Sequence, residues 1–183
     1  GDMRRALTLA LDIASRSGGL FDPSVQALWE AHVDWFAAAP NAGLPPGEVI
    51  AKARAAVDWR RIRIGHDSIR IGEDQRLSLN GLGQGYVTDR VADLLYLRGF
   101  KHVLVDLGEQ RAIGPRRSGA PWLVARADAV PFALRGPALA TSEGTGRILG
   151  AYSPAHQILH PPAPTPWRRW GGFRRRASSV RPA

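Results

Sequence analysis

The chain is expected to fold as one mixed α and β body, and three features of its 183 residues point there. Stretches with a spacing of three to four between apolar residues fill the first third. Alternating stretches such as Arg61-Ile62-Arg63-Ile64 follow them. A glycine-rich loop then leads from a short extended run into the most regular amphipathic stretch, Tyr86 to Arg98. At 44% hydrophobic the chain is rich enough to bury a core at this length.

The elements justify themselves in order. Ala6 to Ser15 reads as a helix with Leu7, Leu11 and Ala14 on one side and Ala10 between them, ended by Ser17-Gly18-Gly19. Asp22 precedes Pro23 and is therefore held out of helical geometry. Pro23 is placed to open a short helix carrying Val25, Leu28 and Trp29. Asn41 to Gly47 is a proline-containing loop, and Glu48 to Val57 is a second helix with Val49, Ile50, Ala53 and Val57 inward. Arg61–Ile64 and Ile69–Ile71 form a hairpin across Gly65-His66-Asp67-Ser68, and Leu77 and Leu79 make another short strand. The Tyr86–Arg98 helix, stopped by Gly99, should pack on the largely apolar strand His102–Leu107, which is expected to be covered on both faces. Trp122 to Arg126 and Ala138 to Thr141 are further strands.

Composition narrows the chemistry. There is no cysteine, which excludes a disulfide framework, a thiolate metal site and a cysteine nucleophile. No apolar run is long enough to span a membrane as a helix, and no signal peptide is visible. The formal charge of +9 is concentrated: Trp167 to Ala183 holds six arginines and no acid, leaving +3 for the rest. Such a tail suits phosphate contacts and base stacking, or it is a disordered or non-native end. The expected division is residues 1–161 as the domain and 162–183 as a basic tail that does not continue it.

The glycine loop Asn80-Gly81-Leu82-Gly83-Gln84-Gly85 has two readings. One is a phosphate cradle at a helix N-terminus, and the other is a tight turn that packs helix on sheet. A dinucleotide fold with Asp106 as the ribose acid fails on spacing, since Gly81, Gly83 and Gly85 give G-x-G-x-G. His156 and His160 stand at i and i+4, but Pro161 and Pro162 argue against a helix that would pair them on a metal.

Four segments occur in a telling order. Gly19-Leu20-Phe21-Asp22-Pro23-Ser24-Val25 comes first, then Asn80 to Val91, then Leu104-Val105-Asp106-Leu107-Gly108-Glu109, and then Ala140-Thr141-Ser142. Together they resemble the ApbE family, the FAD:protein FMN transferases, over most of residues 7 to 161. The resemblance implies an ApbE-like fold truncated at both ends. It implies Mg²⁺-dependent transfer of FMN from FAD to a threonine or serine hydroxyl of a target flavoprotein, with release of AMP. It makes Leu20, Phe21, Asp22, Gln84 and Ile158 FAD contacts and gives Val87 a Mg²⁺ ligand role through its backbone carbonyl; no catalytic residue is assigned. Asp22 would accept from adenine or ribose, or else cap the segment before Ser24-Val25. Thr88 and Asp89 fall in the first helical turn, where Asp is also favoured by the helix dipole.

The pattern departs from the family's at Gln157-Ile158-Leu159-His160-Pro161, where H-x-x-D-P is expected, and no A-D-x-x-x-T-like segment follows Pro161. The chain as written is therefore expected to be an impaired transferase, or an FAD-binding remnant; a nucleic-acid-binding protein is the third possibility. The family relation further implies a periplasmic protein, anchored to the inner membrane through an N-terminal lipid outside this chain.

Overall fold

The computed structural model describes residues 1–125, 131–134, 138–142 and 159–161 in full, and the backbone of 173–177. They divide into two compact units. The first contains Gly1–Gly81 with residues 159–161, and the second contains Leu82–Ser142 with the strand Phe173–Ala177.

The first unit is built from three helices and a small hairpin. Helix α1 (Asp2–Arg16) buries Ala6, Leu7, Ala10 and Ala14, a stripe repeating every three to four residues. It ends in a Schellman motif: the Gly19 N–H reaches the Ala14 carbonyl at 2.9 Å and the Gly18 N–H reaches that of Ser15 at 3.1 Å, with both glycines at positive φ. Helix α2 (Gln26–Ala38) buries Leu28, His32 and Phe36 one turn apart. It is longer than the short helix expected there, and Pro23 lies in the preceding turn instead of opening it. Burial holds the His32 imidazole below its ordinary range, against the pull of the Leu28 carbonyl, to which its Nδ1–H donates at 2.8 Å. Helix α3 (Gly47–Ala55) buries Ile50. A 3-10 turn, Trp59–Arg61, leads into β1 (Arg63–Ile64), which pairs antiparallel with β2 (Ile69–Arg70).

The expected strand at Leu77 and Leu79 does not form. This segment runs beside residues 23–25, making one parallel bridge between Val25 and Arg76 and one bond from the Ser78 N–H to the Pro23 carbonyl. A ladder cannot be completed here, because Pro23 has no N–H to return.

The second unit is layered around a four-stranded sheet whose strands, in spatial order, are β3 (Val103–Asp106), β4 (Gln110–Ile113), β7 (Ala138–Ser142) and β8 (Phe173–Ala177). Helix α4 (Gly83–Leu97) starts three residues before Tyr86, so the last glycines of the loop are its first turn. Strand β3 (Val103–Asp106) pairs antiparallel with β4 (Gln110–Ile113), in the register Val103↔Ile113 to Asp106↔Gln110. Paired residues share a face, so alternation divides the sheet cleanly. Val103, Val105 and Ile113 pack with Val91, Ala92 and Leu95 of α4. Leu104 and Ala112 face the other way, into a cluster with Leu139 and with residues of a second, two-stranded sheet. That sheet is β5 (Trp122–Val124) against β6 (Phe132–Leu134), and Leu134 is fully buried. Helix α4 thus packs on β3, and β3 is covered on both faces, as expected.

Strand β7 (Ala138–Ser142) pairs with β4 on one side and with β8 (Phe173–Ala177) on the other. The expectation that the basic stretch after residue 161 stays apart from the domain is corrected for these five residues. Backbone pairing to a free sheet edge requires only N–H and C=O groups and tolerates any side chain that points away from the sheet plane.

Ala92 is fully buried against Val105 and Ile113. Enlarging it to Leu should overpack the helix–sheet contact and destabilise the chain by ~1–3 kcal/mol, read as a lower midpoint in denaturant with unchanged slope.

Candidate functional site

In the first unit the segment 19–25 is organised by one buried carboxylate. Asp22 is only 6% exposed. Its Oδ1 accepts from the Ser24 N–H at 2.8 Å and the Ser24 hydroxyl at 2.6 Å, and its Oδ2 accepts from the Trp59 N–H at 3.1 Å. The Ser24 hydroxyl oxygen in turn accepts from the Asp58 N–H at 2.9 Å. The Asp-Pro-Ser run therefore clamps the loop to the 3-10 turn. Asp22 does not cap α2, whose first residue follows Val25 and has no side-chain cap. With the loop held, Leu20 projects to solvent at 57% exposure and the Phe21 ring lies against Gly81. A Cβ at Gly81 would come within 3.3 Å of that ring, so the glycine that opens the loop makes room for Phe21.

The second unit brings the other three segments together. The Gln84 amide donates to the Leu107 carbonyl at 3.4 Å, linking the first turn of α4 to the β3–β4 turn. Gly108 turns that corner with φ +94°, and its N–H donates to Asp106 Oδ1 at 3.1 Å. A Cβ on Gly108 would lie 2.5 Å from Gln84 Nε2, so the backbone must be bare for Gln84 to sit there. Buried Thr88 donates its hydroxyl to the Gln84 carbonyl at 2.8 Å and stands 3.4 Å from that of Glu109. Glu109 Oε2 accepts from the Thr141 N–H at 3.0 Å, which joins the turn to the end of β7. Burial raises the Glu109 carboxyl above the ordinary range against the pull of the Thr141 N–H, and nearby Asp106 raises it further.

Asp89 lies in the second turn of α4, beyond the first turn expected for it. With Asp93 it holds Arg111 of β4, at 3.0 and 2.9 Å, which ties helix to sheet. Burial outweighs the guanidinium and leaves the Asp89 carboxyl raised. Sequence reasoning gave no role to Glu109, Thr141, Ser24 or Trp59. Glu109 stood inside a recognised segment, but its partner is 32 residues away and no local pattern announces it.

Val87 is half exposed within α4, where carbonyls serve the helix's own ladder. Among the described residues no three His, Asp or Glu side chains gather closely enough to hold a metal ion. Ile158 and His156 lie outside the described residues.

Two predictions follow from this geometry. Gly108→Ala should strain a positive-φ position and displace Gln84, costing ~1–3 kcal/mol in equilibrium unfolding. Because the folded state holds the Glu109 proton more tightly than the unfolded chain, stability from this group should fall as pH rises from the ordinary glutamate range through its raised folded value. Glu109→Gln should flatten that part of the stability–pH curve relative to the parent chain.

Comparison with known proteins gives these segments a common origin. The sequence profile of the ApbE family matches residues 1–170. A curated FAD:protein FMN transferase from Treponema pallidum is 26% identical over 114 residues, covering 56% of this chain and 30% of that protein. The crystal structure of the ApbE protein from Thermotoga maritima superposes with a TM-score of 0.77 at 24% identity, covering 90% of this chain and 57% of that one. The apo flavinyl transferase ApbE of Pseudomonas stutzeri gives 0.73 at 26% identity, over 91% and 54%. The chain thus spans little more than half of these structures, and less of the curated relative. With nearly its whole described length inside the family profile, and with the fold of solved ApbE proteins, this chain belongs to the ApbE family.

Proposed function

We propose that this protein is an FAD:protein FMN transferase. The observation that carries the reading is the second unit's assembly of the α4 N-terminal turn, the β3–β4 turn and the end of β7 around Gln84, Gly108, Glu109 and Thr141. These are three of the four family-like segments, and they meet at a helix start whose free N–H groups suit a phosphate. Gly83 and Gly85 leave open space where their side chains would be.

The reaction is attack of a threonine or serine hydroxyl of the target flavoprotein on the FMN phosphorus. The new P–O bond forms as the anhydride bond to AMP breaks, AMP leaves with the bonding electron pair, and the hydroxyl proton passes to solvent. This chain's residues bind and orient the substrate. Leu20 and Phe21 present apolar surface to FAD, Asp22 holds their loop and has lone-pair capacity left for a ribose or adenine donor, and Gln84 contacts the cofactor from the α4 turn. Ile158 is a further proposed contact. A requirement for Mg²⁺, with the Val87 carbonyl among its ligands, belongs to the same proposal; a bound ion would neutralise charge on the diphosphate. So does a periplasmic, lipid-anchored location.

The test is flavin transfer itself. Incubated with FAD, Mg²⁺ and a target flavoprotein, the protein should leave covalent, fluorescent flavin on the target in a denaturing gel, and chelation should abolish it. Gln84→Ala should weaken FAD binding about three- to tenfold in a fluorescence titration, the size of one or two hydrogen bonds. FAD binding without transfer would make the chain a flavin-binding remnant, and no FAD binding would refute the reading.

A further inference from the structure

The indole of Trp59 carries a buried N–H with no acceptor among the described residues. Everything else about this residue is fixed. Its backbone N–H is held by Asp22 Oδ2 at 3.1 Å, and the Arg60 guanidinium stacks over its ring at 4.6 Å from the centroid. Its Nε1 lies beneath the Schellman turn, 3.6 Å from where a Gly19 Cβ would be. An unpaired buried donor is costly and persists only where something else is gained.

The neighbouring turn is suited to supply the acceptor. Gly18 and Gly19 stand at φ +62° and +84°, and glycine crosses between positive and negative φ without steric cost. Their N–H groups are engaged by α1, whereas their carbonyls accept no hydrogen bond among the described residues. The bond that follows the turn, from the Leu20 N–H to the Ser17 carbonyl, is long at 3.3 Å. A rotation of the Gly19–Leu20 peptide that turned its carbonyl toward the indole N–H would give up only that long bond, and it would move Leu20, the most exposed residue of the 19–25 segment.

We propose that Trp59 is a positioning residue of the Leu20–Phe21 loop: its indole N–H is unpaired in the free protein and takes a carbonyl of the Gly18–Gly19 turn when FAD engages the loop. This rests on the proposed FAD-binding role of that loop. The unpaired donor raises the energy of the free state, and pairing it stabilises the bound one. Affinity for FAD thereby depends on a residue that does not touch it.

The experiment is a titration of the full chain, labelled with ¹⁵N at its six tryptophans, with FAD. The Trp59 indole resonance is assigned in the parent chain by its nuclear Overhauser contact with the Gly19 protons, which lie beside Nε1. On saturation the Trp59 indole proton should move downfield, as a donor does on gaining an acceptor. Trp59→Phe should leave the free protein as stable as the parent, or more so, since it removes an unpaired donor, while binding FAD about three- to tenfold more weakly. A Trp59 indole resonance that saturating FAD leaves in place would overturn the proposal even if the variant fails to fold, and so would equal FAD affinity in the two proteins. Failure of the parent chain to bind FAD would overturn this proposal together with the reading beneath it.

Discussion

The pairing of β3 with β4 is the constraint on which the second unit depends. Four residues on each strand, closed by the Leu107–Gly108–Glu109 corner, commit Val103, Val105 and Ile113 to one face and Leu104 and Ala112 to the other. A slip of one residue would exchange the faces, setting Arg111 among the leucines and valines around Leu134 and taking it from Asp89 and Asp93. The register therefore decides where α4 lies, and α4 in turn decides where Gln84 meets the corner. Site geometry here is a by-product of core geometry.

The first unit solves a different problem, that of holding an irregular segment still. Residues 19–25 belong to no long helix or strand, so their polar backbone groups need partners from elsewhere. Asp22 and Ser24 supply them, receiving or relaying bonds from Trp59 and Asp58 more than thirty residues away. A buried carboxylate that accepts three hydrogen bonds is stable without a cationic partner, because its charge is spread over aligned donors. The loop is held at Asp22 by three hydrogen bonds and at Gly18–Gly19 by the cap of α1.

The two units also differ in their use of charge. The second carries raised carboxylates at half-buried Glu109 and Asp89, each beside a group that partly compensates it. Arg111, only 13% exposed in its side chain, is shared by two aspartates and contributes more to fixing the angle between helix and sheet than the surface pairs of α1, such as Arg16 with Asp12, contribute to that helix.

Periodicity alone was enough for the elements whose own residues carry the signal. The α1 stripe through Leu7, Ala10 and Ala14, the 63–70 hairpin and the run from Val103 to Asp106 are local facts, whereas burial of Ala6 and the partial exposure of Leu11 were settled by packing; the order of four short segments marked the family. What the tertiary structure decided was whatever depends on a distant partner. The sequence has no mark for β4 or β6, since Gln-Arg-Ala-Ile and Phe-Ala-Leu are too short to alternate visibly and become strands only because β3 and β5 lie beside them. Leu77 and Leu79 alternate but find Pro23 opposite, and a strand without a donor across from it is not a strand. The start of α4 at Gly83 goes against glycine's poor helix propensity because the Gln84 side chain is bound at Leu107 and Thr88 reaches back to the Gln84 carbonyl. Asp22 is the clearest case. The sequence left it between capping a helix and holding a ligand, and a backbone N–H at Trp59, invisible to any local pattern, made it a clamp between two segments.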